Sequence, residues 1–271
     1  MTAALQPALP TLFLAHGSPM LALSDIPAHR FLKGLAADLP EAKAIVIMSP
    51  HWETDGLRVT SAGPLKTIHD FGRGFPRELF QIDYPAQADD MLHGTVLAHL
   101  ATAGLTASSD DSWGLDHGAW VPLSLVFPKL KIPVLQVSLP LNSTPEDVFA
   151  IGQALSPLKE QGILLIGSGG TVHNLRQIMP EGVPAPDWAT GFDAYLDGKL
   201  ADGRVTGFAD MTSRSDFRQA HPTEEHLLPL FFAMGAAADA TEQAPTPELL
   251  HRSYSHGTLS MSYWQFEREA A

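Results

Sequence analysis

The chain carries twelve histidines and no cysteine, and the placement of the histidines says more than their number. His16, His51, His117, His173 and His221 each neighbour Gly, Pro or Asn, and His226 follows in the same segment as His221. These are positions where the chain leaves or enters regular structure, where a histidine chosen only for packing is less expected. With thiolates absent, a metal here must be held by imidazole and carboxylate, a donor set that suits iron or zinc. Such an ion needs neutral imidazole or carboxylate ligands from separate elements, with coordination positions left open for water or substrate. Other chemistries lack their signatures: there is no HExxH helix, GxSxG elbow, Walker loop or GxGxxG fingerprint. Gly167-Ser-Gly-Gly is a weak phosphate cradle, because no Lys follows it.

The elements that must position these groups are legible in the apolar runs. Ala44 to Trp52 (AIVIMSPHW) is too continuous for a half-exposed strand and too short for a helix, so it reads as a buried parallel strand with His51 at its tip. Thr11 to Ala15 repeats the design and ends in His16, and Gly162 to Ile166 runs on through Gly167-Ser-Gly-Gly to His173. Further strands are expected at 57–62 and 133–139, with an edge or antiparallel strand at 257–264. Helices are expected at 24–39 (capped by Ser24 or Asp25), 86–103 (ended by Gly104), 144–159 (capped by Thr144, Pro145 first), 188–200, and 221–235 with Thr223 as cap. Residues 113–120 read as a loop, with a helical or irregular element from Val121. The pattern predicts one α/β domain over 1–271: a central, mostly parallel mixed sheet flanked by helices. Its ligands would sit at the carboxyl ends of the strands.

Composition narrows the function. At 271 residues and 45% apolar, the chain can bury a large core. A formal net charge of −13 argues against nucleic acid as partner, since phosphate binding needs clustered Lys and Arg. No run reaches the roughly 18 apolar residues of a membrane span, and Met1 to Pro10 lacks a basic region followed by an apolar core. A cytoplasmic enzyme with no membrane partner is expected, its oligomeric state left open.

The set His16-Gly-Ser-Pro-Met, Ser49-Pro-His-Trp, Thr67-Ile-His-Asp-Phe-Gly, Trp113-Gly-Leu-Asp-His-Gly, Val172-His-Asn and Pro222-Thr-Glu-Glu-His-Leu-Leu-Pro-Leu resembles the DOPA 4,5-dioxygenase branch of the class III extradiol ring-cleavage dioxygenases. These motifs span nearly the whole chain. The resemblance implies a non-heme enzyme that inserts O2 into a catechol and opens the ring beside the diol, giving a muconic semialdehyde type product. It makes His16, His51 and His226 the metal ligands, with Glu225 a competitor for the third place. His173 matches the family's acid/base histidine, and His117 would be a second catalytic or substrate-contacting group. His69, Asp70, Phe71 and Trp113 are candidates for the ring pocket. The implied cofactor is Fe2+, with Zn2+ able to occupy the same site, and the partners are a small catechol and O2. A zinc-dependent hydrolase on the same histidine cage is the alternative reading, and His221 and His256 are unassigned.

Overall fold

A computed structural model describes residues 8–267. In chain order the elements are β1 (Thr11–Ala15), α1 (Pro27–Leu35), β2 (Ala44–Thr54), β3 (Leu57–Thr60), β4 (Gly63–Leu65), β5 (Ala86–Ala88), α2 (Asp90–Thr102), β6 (Ala107–Asp110), α3 (His117–Val126) and β7 (Val134–Pro140). There follow α4 (Pro145–Leu155), β8 (Ile163–Gly169), α5 (Asp187–Asp202), α6 (Phe217–Ala220), α7 (Pro229–Ala237), β9 (Glu248–His251), β10 (Tyr254–Ser255), β11 (Leu259–Ser260) and β12 (Tyr263–Phe266).

Eight strands form one sheet in the order β6-β3-β7-β2-β8-β1-β12-β9. Its centre, β7-β2-β8-β1, is parallel, as the continuous apolar runs require of strands covered on both faces. Side chains alternate between two cores: Phe13, Val46, Met48 and Leu165 point to one, and Leu12, Leu14, Ile45, Ile47 and Ile166 to the other. The α/β class and the mostly parallel mixed sheet flanked by helices are therefore as the sequence predicts. On the first face α4 and α7 touch backbone to backbone. A Cβ on Gly235 would lie 2.0 Å from the Phe149 carbonyl oxygen, and one on Gly152 would lie 2.1 Å from that of Phe232.

Several boundaries differ from the sequence reading. The first helix starts at Pro27 and is preceded by an extended Ile26, φ −103° and ψ 163°. Proline forces the residue before it out of helical backbone, which excludes Ser24 and Asp25 as caps. The second begins at Asp90, because Asp89 caps it by accepting from Leu92 N, while 86–88 pair with β4 instead. The expected loop at 113–120 is half helix: Asp116 accepts from Ala119 N and starts α3 at His117. The largest correction is at 221–235, where the helix begins only at Pro229 and Thr223 is not its cap. The His226 carbonyl is taken by the Gly170 N–H at 2.8 Å, so this turn is tied to the end of β8. The last strand is split in two, and β12 is antiparallel to both neighbours, as one expected alternative has it, lying inside the sheet between β1 and β9 and not at its edge. His51 does not sit at a strand tip either: β2 continues to Thr54, with its register against β7 shifted between Met48 and Glu53.

The α4–α7 contact yields a stability prediction. Gly235→Ala forces a methyl into the Phe149 carbonyl, and overpacking of this kind costs about 3 kcal/mol. Urea unfolding of the variant should show that loss; a free energy equal to the parent's would mean the two backbones are not in contact.

Candidate metal centre and active site

Five imidazoles meet above the carboxyl ends of β1, β2 and β8. His16 follows β1, His51 lies near the end of β2, His117 opens α3, His173 lies four residues beyond β8, and His226 sits in the turn before α7. Ring centroids of His16 and His51 are 5.0 Å apart, those of His51 and His117 3.9 Å, and His226 lies 5.4 Å from His16 and 5.0 Å from His51. His173 stacks flat on His226 at 3.6 Å. Among the described residues, His16, His51 and His117 form a group whose ligand atoms all lie within 4.8 Å of one another.

Four of the rings are held in a common way, through Nδ1. His16 Nδ1 meets Ser168 Oγ at 3.0 Å, and that hydroxyl donates onward to the Gly118 carbonyl, so it accepts from the ring. Asp70 Oδ2 lies 2.9 Å from His117 Nδ1 and 3.3 Å from His51 Nδ1. Glu225 Oε1 lies 2.9 Å from His226 Nδ1. An acceptor on Nδ1 fixes the proton there and leaves the Nε2 lone pair for a cation. The Nε2 atoms of His16 and His51 approach to 3.1 Å, and His226 Nε2 is buried with no protein partner.

Local sequence explains the placement. Pro122 has no N–H to bond the carbonyl four residues back, which frees the Gly118 oxygen for Ser168. Gly118 lacks a side chain because a Cβ would stand 2.3 Å from Ser49 Oγ and 2.9 Å from His51 Cδ2. Beneath it the fully buried Asp116 accepts from Ser49 Oγ and Gln136 Nε2, tying α3 to β2 and β7. Burial raises its carboxyl above the usual range. On β8, Gly167 and Gly169 leave room for the 226–229 turn: added Cβ atoms would meet the Pro229 and His226 carbonyl oxygens at 2.0 and 2.3 Å. The glycine run that hinted at phosphate is thus a seat for His226.

Burial also sets the charge state. Desolvation, reinforced by neighbouring imidazoles, holds His16 and His226 well below the ordinary histidine value. Desolvation brings His51 to about 3 and His173 to about 4. At neutral pH all four are uncharged, the form that ligates metal. Burial pushes Asp70 upward, but the hydrogen bonds and charge of His117 outweigh it and hold the carboxylate ionised.

The structure distributes the other candidates differently from the sequence reading. Asp70 is a partner of two histidines, a contact the sequence reading did not foresee. His69 gives Nε2 to the Ile82 carbonyl at 3.0 Å, within a cluster that includes Phe80 and Trp120. Phe71 stands edge-on to His117 at 5.8 Å and borders the site. Trp113 stacks on Trp52 at 5.6 Å, and no ring contact joins it to the five histidines among the described residues. Glu225 holds His226 by Nδ1 and also accepts from Thr223. Ser49, Asp116, Gln136 and Ser168 were missed: they have ordinary strand and cap identities, and nothing in the sequence marks them as supports.

Comparison with known proteins agrees with this geometry. Residues 10–264 match the family described as the catalytic LigB subunit of aromatic ring-opening dioxygenase. The chain belongs to that family and is an extradiol ring-cleavage dioxygenase by class. It is 37% identical to the 4,5-DOPA dioxygenase extradiol of Beta vulgaris over 94% of this chain and 96% of that one. It is 38% identical to the protein of the same name from Escherichia coli K12, over 84% and 85%. A crystal structure of the uncharacterized protein JW3007 from Escherichia coli K12 superposes with a TM-score of 0.79 at 33% identity, covering 96% of this chain and all of that one. No helix among the described residues is long and apolar enough to cross a membrane.

His221 stands apart from the cage and carries a pH prediction. It is fully buried, its Nε2 bonds the Thr171 carbonyl at 2.7 Å, and desolvation lowers it to about 4. Unfolded, it protonates near the ordinary value of ~6.5, so its contribution is full above that pH and falls as pH drops toward 4. The total is on the order of 3 kcal/mol. Unfolding of the parent and of His221→Phe from pH 7 to pH 4 should show a steeper loss in the parent; identical slopes would refute the assignment.

Proposed function

We propose that this protein opens a catechol-type ring next to its diol with O2, using a divalent metal held by His16, His51 and His226, with ferrous iron as the working ion. Zn2+ suits the same donors. The observation that carries this reading is the set of neutral imidazoles pinned through Nδ1, together with the buried, partnerless Nε2 of His226. Leaving such an atom without a partner costs about 1–3 kcal/mol, and a cation removes that cost. His117 is as near to His16 and His51, but no comparable unmet nitrogen is found on it among the described residues; we assign it to the substrate side.

When bound, the metal brings catechol and dioxygen together and passes electron density between them. The chain's own groups do the rest. Asp70 holds His51 and His117 in one tautomer, and Phe71 walls the ring position beside His117. His173, neutral at working pH, takes a catechol proton and returns it as the ring opens. Burial of His16, His117 and His226 keeps water from the reacting atoms. The relatives' names point to DOPA or a related catechol as substrate.

Protein purified without oxygen and loaded with ferrous iron should take up O2 on addition of a catechol and form a visibly absorbing product. His51→Ala and His226→Ala should lose metal retention. His173→Ala should keep metal and lose about 100-fold or more in kcat. Metal occupancy in His51→Ala equal to the parent's would overturn the ligand assignment. Zinc-dependent ester turnover indifferent to oxygen would favour the hydrolase instead.

A further inference from the structure

Asp193 is a fully buried carboxylate that no step above uses. It shares the buried face of α5 with Ala189, Phe192, Leu196 and Leu200, where a leucine would pack without the cost of taking a charge out of water. Three hydroxyls donate to it. Thr171 Oγ1 reaches Oδ1 at 2.7 Å, and Tyr254 Oη and Ser260 Oγ reach Oδ2 at 2.6 and 2.7 Å. Arg252 Nε stands 3.7 Å from Oδ2, and its guanidinium is held by Asp197 at 2.7 and 2.8 Å. Burial raises the Asp193 carboxyl above its usual range, and Arg252 with the three hydroxyls works against that.

These donors belong to the parts of the chain that hold His173. Thr171, two residues before it, is gripped twice: its hydroxyl by Asp193 and its carbonyl by the His221 Nε2–H at 2.7 Å. Tyr254 and Ser260 face one another across β10 and β11, and Ser260 N–H bonds the Val172 carbonyl at 3.2 Å. His173 N–H bonds the Ala220 carbonyl at 3.0 Å, and Asn174 Nδ2 donates to that of Gln219 at 2.7 Å. The His173 ring lies flat on His226, 3.6 Å away with the planes 6° apart. Its place on that ring follows from where its main chain is fixed.

We infer that Asp193 is a positioning residue for His173, fixing through Thr171 and the β10–β11 pair the segment from which the imidazole projects. The inference deepens, and rests on, the reading of His173 as the group that moves the catechol proton. Such a transfer needs hydrogen-bond reach between base and substrate, and a misplacement of about 1 Å costs up to about 100-fold. A carboxylate suits the task because its two oxygens accept from several donors at once. A leucine would fill the same space and direct nothing.

Thr171→Val keeps the shape of the side chain and removes its hydroxyl, whereas Thr171→Ser keeps the hydroxyl. On ferrous-loaded protein with catechol, Thr171→Val should lower kcat by about tenfold or more, with iron content and anaerobic catechol binding as in the parent. Thr171→Ser should restore turnover toward the parent's. Asp193→Asn leaves one oxygen for three hydroxyls and should act as Thr171→Val does; Thr171→Val carries the test should Asp193→Asn not fold. In a His173→Ala background, Thr171→Val should bring no further loss, since two changes that act through one group do not add. In the metal-free protein the His173 ring-proton resonance should move downfield in Thr171→Val and stay in Thr171→Ser, as a loosened stack on His226 requires. An unmoved resonance in Thr171→Val, equal loss in Thr171→Val and Thr171→Ser, or the same further loss in the His173→Ala background overturns the inference. Where His173→Ala loses kcat, an unchanged kcat in Thr171→Val overturns it as well. A moved resonance with no loss of kcat in His173→Ala overturns the acid/base reading and leaves the positioning standing.

Discussion

Several imidazoles share one buried volume, and burial there disfavours the charged form of His16, His51, His173 and His226. Desolvation alone removes the proton from His16 and His226 at neutral pH, and the neighbouring rings push in the same direction. What then decides the chemistry is the placement of the remaining proton. Ser168, Asp70 and Glu225 each take a Nδ1–H, so the lone pairs gather on the other side of the rings. A cation at that point would satisfy the His226 Nε2 that protein atoms leave unmet. Without those acceptors the same rings could hydrogen-bond one another and present no common face.

The rest of the fold serves that arrangement by close approach. Parallel strands bring His16 and His51 to one rim, but His117 and His226 arrive on a helix start and a turn that must be pressed against the sheet. Glycines do this: Gly118 admits His51, and Gly167 with Gly169 admit the backbone of the 226–229 turn. Pro122 contributes by omission, since the hydrogen bond it cannot make leaves a carbonyl for Ser168 and so reaches His16. Asp116 ties these pieces to β2 and β7 from below. The support is a set of buried polar groups in which Ser49 and Gln136 both donate to Asp116, so that one carboxylate holds α3 against two strands.

The histidine cage and the loops around it come from different parts of the chain. The cage is made from the ends of β1 and β2, the start of α3 and the turns that carry His173 and His226. Around it lie the loops that follow His16 and His173 and the 69–75 aromatic segment, whose Phe71 stands edge-on to His117.

The sequence by itself determined the parallel centre of the sheet, because continuous apolar runs such as Ile45 to Met48 fit only a strand buried on both faces. It also determined the histidines worth watching, since their Gly, Pro and Asn neighbours mark departures from regular structure. It misplaced the start of α7 and the cap of α1, where a proline or a borrowed carbonyl overrode local propensity. Only the tertiary structure decided that Asp70 holds two histidines, that Glu225 holds His226, and that Ser168 reaches His16 from 152 residues away. For His16 and His117, which nitrogen carries the proton is set by a partner distant in the chain, and periodicity, propensity and motif are blind to such partners.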